Sequence, residues 1–428
     1  MLGQIVNAAR NGGAFGGRSF AHNATLGLVW LAMATSGFVF SEPAPTDIVA
    51  LGLIVILPVV GLFRPSPLIA MLMLLLAGVA ASGLVSAIFA NDTGKAVTHT
   101  LVSLYLGGAA FTFAGFIAVN PIAHLKIIFN GLTFAAVIVA IAGIAGYCDA
   151  FAGAEMFTKF GRASGTFKDP NVFGPFLVPA FLYAIHTAFD RSMKHVALPL
   201  ALAGFLAFAT FLSFSRGAWM NLILALATYI ALSFLTAESN GRRQKIAFLG
   251  LLGAALIAAV VAGALQVEKI AGLVSERASV AQSYDLGPEG RFGGQEKATG
   301  LILEYPLGIG AGSFALDYHH EEPHNVYLSM PLNAGWAGAG LYVAAVMLTL
   351  LLGINQAFKR TPWQPLVLIA FSAFLANAAE GLIIDTDHWR HFYLLMGLIW
   401  GVASVPNPAL ATNGVARLRG RLQVAPSA

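Results

Sequence analysis

The chain has 428 residues, of which 57% are hydrophobic and only 10% are charged, and its formal net charge is +4. Soluble globular proteins carry about 25% charged residues, so this composition excludes an ordinary soluble domain and indicates a polytopic membrane protein. A single cysteine, Cys148, excludes an intramolecular disulfide and a cysteine-based zinc site.

Apolar segments recur along the whole chain, and about twelve of them can cross roughly 30 Å of hydrocarbon as a helix at 1.5 Å per residue. Strand-like alternation of the β-barrel kind is absent, so the predicted fold class is an all-α polytopic membrane protein. The predicted spans are residues 24–41, 46–63, 67–90, 100–119, 122–147, 171–189, 196–214, 217–236, 246–265, 324–352, 363–383 and 391–405.

The distribution of lysine and arginine predicts the orientation. Basic residues concentrate in the N-terminus, the even-numbered loops and the C-terminus, which the positive-inside rule places in the cytoplasm. The predicted segments are a cytoplasmic N-terminus (1–23), helices 1–9 (24–265), a large periplasmic loop (266–323), helices 10–12 (324–405) and a cytoplasmic tail (406–428). The N-terminal region lacks a cleavage site after a short apolar core, so we expect the first span to be retained.

The first polar motif on the predicted outer side is residues 161–174, just before the sixth span. Its glycines permit close backbone approach, and Asp169 and Asn171 flank a proline in a helix-start signal, with Asn171 as a plausible cap. A helix N-terminus flanked by Arg162 and Lys168 suits an anion such as phosphate. Turns of this composition are common, so an ordinary loop remains an alternative.

Two further arginines lie outside, where positive charge opposes the insertion bias. Arg216, within residues 213–219, joins two apolar spans with almost no loop, so its guanidinium needs a partner or a solvated cavity, unless it snorkels to the headgroups. Arg291 lies between glycines, in what we expect to be flexible backbone. The glycine-rich residues 304–312 lack the lysine of a P-loop, which argues against a nucleotide site.

Residues 319–324 contain three histidines and two glutamates at the end of the large loop. They could coordinate zinc, although their spacing matches no helical zinc motif. Alternatively, Pro323 starts the tenth helix and places His324 and Asn325 at its outer end, where a neutral imidazole can accept a proton from a hydroxyl.

The last outside loop, residues 385–391, is another dense polar edge that contains Asp385, Asp387 and Arg390. Glu380 lies one helical turn deeper, and a carboxylate at that depth needs a partner, for which Arg216 and Arg390 are candidates. Between these motifs, the small residues of 335–340 predict a face for close helix packing.

Together the motifs resemble the superfamily of O-antigen ligases and Wzy-type polymerases, which are transferases of the bacterial envelope. The resemblance rests on residues 213–218, on 323–328 followed by 335–338, and on 165–171, in that family's order and sidedness, and it covers about residues 160–400. It implies transfer of a whole glycan from undecaprenyl diphosphate to a sugar hydroxyl at the periplasmic face of the inner membrane, without a metal or another cofactor.

The resemblance also implies roles for individual residues. His324 matches the family's catalytic histidine, Arg216 the arginine after the seventh span, and Arg291 the arginine of the large loop, although Arg277 competes for the last position. Arg162 and Lys168 are further candidates for donor binding. The possible supporting residues are Asn325, Asp169, Asn171, Glu380, Asp385, Asp387 and Arg390.

The sequence leaves the exact reaction open. A ligase uses lipid A–core as acceptor, whereas a polymerase extends another lipid-linked repeat, and the motifs fit both; we favour the ligase. A lipid-linked oligosaccharide flippase would need charges through the membrane midplane, which this chain mostly lacks. A metal-dependent glycosyltransferase using Glu42 and Asp47 is a further alternative. The expected partners are the lipid-linked donor, a saccharide acceptor and membrane lipids, with no nucleic acid.

Overall fold

The computed structural model describes residues 12–268, 271–272, 274 and 287–406. Arg277, the competitor of Arg291, lies outside these residues. The long helices are α1 (Gly12–Ala34), α2 (Pro45–Val60), α3 (Pro67–Ser86), α4 (Thr93–Val119), α5 (Pro121–Tyr147), α6 (Pro170–Asp190), α7 (Ala197–Phe211), α8 (Arg216–Leu235), α9 (Asn240–Ala264), α10 (Arg291–Glu304), α11 (Val326–Ala357), α12 (Gln364–Glu380) and α13 (Arg390–Ala403).

Short elements connect these helices. Three 3₁₀ turns cover Ala87–Phe89, Ala154–Phe157 and Met193–His195, and a π turn covers Phe314–Tyr318. Between α5 and α6, strands β1 (Thr158–Lys159) and β2 (Arg162–Ala163) form a two-stranded antiparallel hairpin, in which Thr158 pairs with Ala163. This hairpin positions the first polar motif of the predicted outer side.

Every predicted span overlaps one of the helices, so the expected all-α polytopic class agrees with the structure. Among the described residues, six helices are long and apolar enough to cross a membrane, namely α3, α4, α5, α6, α8 and α11. Shorter apolar helices cover residues 20–34 of α1 and the whole of α2, α7 and α12. The chain is therefore a multi-pass helical membrane protein.

Polar side chains at the helix starts fix the boundaries between apolar helices. Ser66, Asp92 and Asn120 each accept a hydrogen bond from a backbone N–H in the first turn of α3, α4 and α5. The helices then pack in pairs, α3 with α11, α4 with α13, α6 with α7, and α8 with α12. α13 is buried along nearly its whole length, and Trp400 donates from Nε1 to Thr349 Oγ1 at 2.7 Å.

The expectation that Arg291 lies in flexible backbone is wrong, because Arg291 is the first residue of α10. The expectation that Pro323 starts the tenth span is also wrong. α11 starts at Val326, and the side chain of Asn325 accepts a hydrogen bond from Tyr327 N at 3.1 Å. A side-chain cap therefore competes successfully with the preference of proline for a first turn.

The glycine-rich residues 304–312 dock on a break in α11. Ile309 N donates to Leu332 O at 2.8 Å, and Trp336 N donates to Pro306 O at 2.9 Å. At the break, Gly335 adopts φ +64°, and a Cβ there would lie 2.8 Å from the backbone of Leu307. Gly335 is therefore a point of close backbone approach rather than part of a continuous small-residue helix face.

Candidate functional site

A cavity of about 470 Å³ gathers many of the residues that the sequence singled out. We call it the arginine cavity, because Arg162, Arg216 and Arg291 all line it, together with His324. The remaining lining residues are Asn171, Phe214, Ser215, Gly217, Met220, Phe292, Gln295, Glu321, Glu380, Leu382, Ile383 and Ile384. Its wall thus combines the β-hairpin, the first turns of α8 and α10, the segment before α11 and the end of α12.

Arg162 is buried and holds three of these segments together. Its Nε donates to Ser213 O at 2.7 Å, and its Nη2 donates to Asn171 Oδ1 at 2.8 Å. Because a buried guanidinium requires such acceptors, these contacts fix both its position and its direction. They connect β2 to the turn before α8 and to the first turn of α6.

Two of the arginines begin helices whose first turns line the arginine cavity. Arg216 is the first residue of α8, where the hydroxyl of Ser215 accepts a hydrogen bond from Ala218 N at 3.3 Å. Arg291 is the first residue of α10, whose cap position, Gly290, provides no side-chain hydrogen bond. Helix N-termini carry partial positive charge, so both helices add to the positive potential of the guanidinium groups.

Arg291 also connects α10 to the two segments that carry the other polar residues. Its Nη2 donates to His324 O at 3.0 Å and, in a second short contact, to Ile383 O. Gln295, one turn further along α10, donates to Pro323 O at 3.1 Å. The helix within the large loop therefore determines where His324 lies.

His324 lies between the two carboxylates closest to its ring. Its Nε2 is 3.3 Å from Glu321 Oε2, and its Nδ1 is 4.0 Å from Asp385 Oδ2. The side chain is 40% exposed, so it can reach a ligand in the cavity. The backbone of His324 adopts φ +51°, a left-handed conformation that turns the chain just before the cap residue of α11.

Arg390, one of the two arginines considered as a partner of Glu380, pairs with a different carboxylate. Asn221, on α8, donates from Nδ2 to Glu380 Oε2 at 2.7 Å, and the same amide group contacts Asn377 Oδ1. Gly217 permits this approach, since a Cβ there would lie 2.6 Å from Glu380 Oε1. Sequence reasoning missed Asn221, although an amide within an apolar helix is a usable signal.

Arg390 instead forms a bidentate ion pair with Asp47, at 2.7 Å from Nε to Oδ1 and 2.8 Å from Nη2 to Oδ2. Tyr105 and the backbone N–H of Ala44 also donate to this carboxylate. Glu42 lies 3.4 Å from Lys168 Nζ. Glu42 and Asp47 were the candidate ligands of a metal-dependent glycosyltransferase. Because both carboxylates already have cationic partners, the geometry disfavours a metal ion between them.

A second cavity, of about 350 Å³, contains the predicted residues that the first one lacks, except Asn325, which lines neither. We call it the acidic cavity, because five carboxylates line it and only Lys168 and Arg390 oppose them. Those carboxylates belong to Glu42, Asp47, Asp169, Asp385 and Asp387. Arg162 and Lys168, which the sequence predicted to flank one anion site, line different cavities.

The start of α6 explains this separation. Asp169, and not Asn171, is the cap residue, and its Oδ1 accepts the backbone N–H of Asn171 at 2.8 Å. A carboxylate thus occupies the helix N-terminus on which the expected phosphate would have bound. The side chain of Asn171 turns instead to Arg162 in the arginine cavity.

Three carboxyl groups, two in the loop after α12 and one just before α11, have shifted pKa values. Burial and the nearby charge of Asp387 raise the pKa of Asp385 to about 6, and Ser329 donates to its Oδ1 at 2.5 Å. Burial and the charge of Asp385 likewise raise the pKa of Glu322 to about 7. Burial alone would raise the pKa of Asp387, but the imidazoles of His388 and His99 reverse this and hold it at about 2.

Within the described part of the chain, two groups of side chains have the types and spacing of metal ligands. Glu289, His319 and His320 meet in the large loop, and His99, Asp387 and His388 meet beside the acidic cavity. The first group includes two of the histidines for which the sequence left zinc open, but not His324. In the second, His99 Nε2 is 3.3 Å from Asp387 Oδ2, and His388 Nε2 is 3.0 Å from Ser103 Oγ.

The central part of the chain matches a known protein family. Residues 201–343 match the family model described as O-antigen ligase. The predicted superfamily is confirmed over this stretch. The matched region contains Arg216, Arg291 and His324 but not Arg162, Glu380 or Asp385. No curated protein matches the chain. The O-antigen ligase superfamily consists of glycosyltransferase-like ligases and polymerases that act on lipid-linked glycans.

Proposed function

We propose that this member of the O-antigen ligase superfamily is an inverting glycosyltransferase. In this proposal it transfers a glycan en bloc from undecaprenyl diphosphate to a sugar hydroxyl of lipid A–core, at the periplasmic face of the inner membrane. The topology that goes with it has twelve spans and both termini in the cytoplasm. The observation that carries the proposal is the convergence of Arg162, Arg216 and Arg291 on one cavity beside His324.

The chemistry of the donor explains why arginines suit this cavity. When the bond between the anomeric carbon and the diphosphate oxygen breaks, negative charge develops on the leaving diphosphate. Guanidinium groups bind such oxygens bidentately, and fixed positive groups in a partly dry site stabilise the developing charge without reorganisation. Arg216 and Arg291 contribute this stabilisation, supported by the N-termini of α8 and α10.

His324 supplies the general base. The attacking hydroxyl loses its proton as its oxygen bonds to the anomeric carbon, and the imidazole accepts that proton. Attack on the side opposite the diphosphate inverts the anomeric configuration. Arg291 binds the backbone carbonyl of His324 directly, so the group that stabilises the donor also positions the base. Glu321, at 3.3 Å from Nε2, fixes the ring on its other side.

The polymerase is the second candidate, and it uses the same cavity and the same residues. The two reactions differ only in the molecule that carries the acceptor hydroxyl. Deletion of the gene separates them, because a ligase mutant has bare lipid A–core and accumulates long lipid-linked polymer. A polymerase mutant instead retains a single repeat.

Complementation of the deletion strain tests the proposal itself. We expect the wild-type gene to restore the lipopolysaccharide ladder, and His324→Ala and Arg216→Ala to restore none while their membrane levels stay normal. A flippase makes a different prediction, since its loss leaves lipid-linked repeats on the cytoplasmic face. A ladder of normal intensity from either variant would refute the assigned roles.

A further inference from the structure

The charges that line the acidic cavity disfavour a diphosphate. Carboxylates outnumber cations on its walls, so a phosphate group would meet repulsion there. The arginine cavity has the opposite balance, with three arginines against Glu321 and Glu380. The linings of the two adjoining cavities therefore differ in charge, and only the arginine cavity favours an anionic ligand.

A buried polar atom in the acidic cavity, Nε2 of His391, has no hydrogen-bond partner among the described residues, and the His391 side chain is 4% exposed. Asp387, by contrast, is paired with His99, whose Nε2 lies 3.3 Å from its Oδ2. Leaving a buried polar atom without a hydrogen bond costs about 1–3 kcal/mol, so such atoms are usually satisfied by a ligand or by water. A hydroxyl group, which both donates and accepts, suits the imidazole nitrogen of His391 in either tautomer.

The rest of the lining suits a sugar ring. Trp389, Tyr105 and Phe176 add aromatic surface to the polar and charged side chains of the cavity. The volume of about 350 Å³ lies within the range of small-molecule sites, roughly 300–1,000 Å³. A neutral sugar residue combines apolar ring faces with hydroxyls at its edge.

Asp385 connects this cavity to His324. Asp385 lines the acidic cavity, its Oδ2 lies 4.0 Å from His324 Nδ1, and His324 lines the arginine cavity. A hydroxyl oxygen placed to one side of the line that joins these two atoms can lie about 2.8 Å from both. Glu321 accepts the N–H at Nε2 in the matching tautomer, which leaves the lone pair of Nδ1 for the hydroxyl.

We propose that the acidic cavity binds the terminal neutral sugar of the acceptor glycan and presents one of its hydroxyls to His324 beside Asp385. This rests on the proposed transferase function. The hydroxyl oxygen forms the new bond to the anomeric carbon, its proton passes to His324 Nδ1, and the electron pair of the broken bond leaves on the undecaprenyl diphosphate. The same chemistry serves lipid A–core and a lipid-linked repeat, since both present sugar hydroxyls.

Steady-state kinetics of the full chain in proteoliposomes test the site. His391→Phe keeps the ring volume but removes Nε2, and Glu42→Gln removes a charge at the cavity rim. We expect each to raise KM for the acceptor about tenfold, the equivalent of one hydrogen bond, while KM for the lipid diphosphate donor stays within about twofold. Glu155→Gln, an exposed acid outside both cavities, is the matched control and should change neither constant.

Parallel assays with lipid A–core and with a lipid-linked repeat as acceptor identify which source the wild type accepts. Unchanged acceptor KM in both variants, or an equal rise in donor KM, would overturn the acceptor site. A binding measurement without donor separates the two proposals: saturation-transfer NMR with the free core and repeat oligosaccharides. If wild type binds one of them and His391→Phe does not, yet no transfer occurs, the proposed reaction is wrong and the sugar site stands. If wild type binds neither, the sugar site is wrong.

Discussion

The role of His324 can be tested with a substitution matched to its backbone. His324 adopts φ +51°, a left-handed conformation in which histidine and asparagine are enriched and alanine is not. Asparagine tolerates this left-handed conformation and stays polar, but it cannot accept a proton as a base. His324→Asn therefore removes the chemistry with little effect on the fold, because α11 starts only at Val326 and retains its cap at Asn325.

The expected loss of activity follows from the role of His324 in removing the proton of the acceptor hydroxyl. General base catalysis contributes about 10²–10⁴-fold, which corresponds to roughly 3–5 kcal/mol of transition-state stabilisation. The arginine cavity remains intact in the variant, so donor binding should persist and kcat should carry the loss. We expect His324→Asn to lower kcat by about two to four orders of magnitude, with donor KM nearly unchanged.

Transfer from a lipid diphosphate donor in proteoliposomes measures this directly, with the amount of folded protein checked by size exclusion. His320→Asn is the control, because His320 lies in the same segment, is 57% exposed, and faces Glu289 rather than either cavity. It should retain near-normal kcat. If His324→Asn retained more than half of the wild-type kcat, the base would have to be another group.

Three further outcomes are expected. Arg216→Lys should lower transfer about tenfold or more, because an ammonium cannot reproduce a planar bidentate fork, whereas Arg360→Lys, at an exposed site, should have no effect. Gly335→Ala should lower the free energy of unfolding in detergent by at least about 1–2 kcal/mol, because Gly335 has φ +64° and an added Cβ would meet backbone atoms. Gly340→Ala is the control and should leave it unchanged, because no atom lies within 4 Å of the added Cβ. The pKa of Asp385 is raised to about 6, so its burial favours the protonated form, and its unfavourable contribution to stability grows as pH rises from about 4 through 6. Asp385→Asn should therefore match the wild-type melting temperature near pH 4 and exceed it at pH 7, and equal temperatures at both pH values would contradict the shift.

The positions of the helices follow from the sequence because an apolar segment in a membrane must satisfy its backbone hydrogen bonds internally. The order of the motifs also led to Arg162, Arg216, Arg291 and His324, which line one cavity. The start of α10 at Arg291 could not be predicted in this way. The surrounding glycines favour flexible backbone, and the helix forms where Arg291 and Gln295 bind the carbonyls of distant segments.

The partners of residues that lie far apart in the chain could not be predicted from the sequence, for a different reason. Asp47 and Arg390 lie 343 positions apart, and Asn221 and Glu380 lie 159 apart. A single sequence shows that a buried charge needs a partner, but several candidates satisfy that need equally well. Packing of the helices decides between them: of the two arginines considered for Glu380, Arg390 pairs with Asp47 instead.

The two cavities are distributed unequally over the chain. Every residue of the acidic cavity lies before residue 177 or after residue 384, and so outside the stretch matched by the family model, residues 201–343. Arg216, Arg291 and His324 lie within it. If the acidic cavity binds the acceptor, related proteins can evolve towards new acceptors through substitutions at the two ends of the chain, while the central region preserves the chemistry of the lipid diphosphate. Exchange of those ends between homologues then becomes a route to altered glycan specificity.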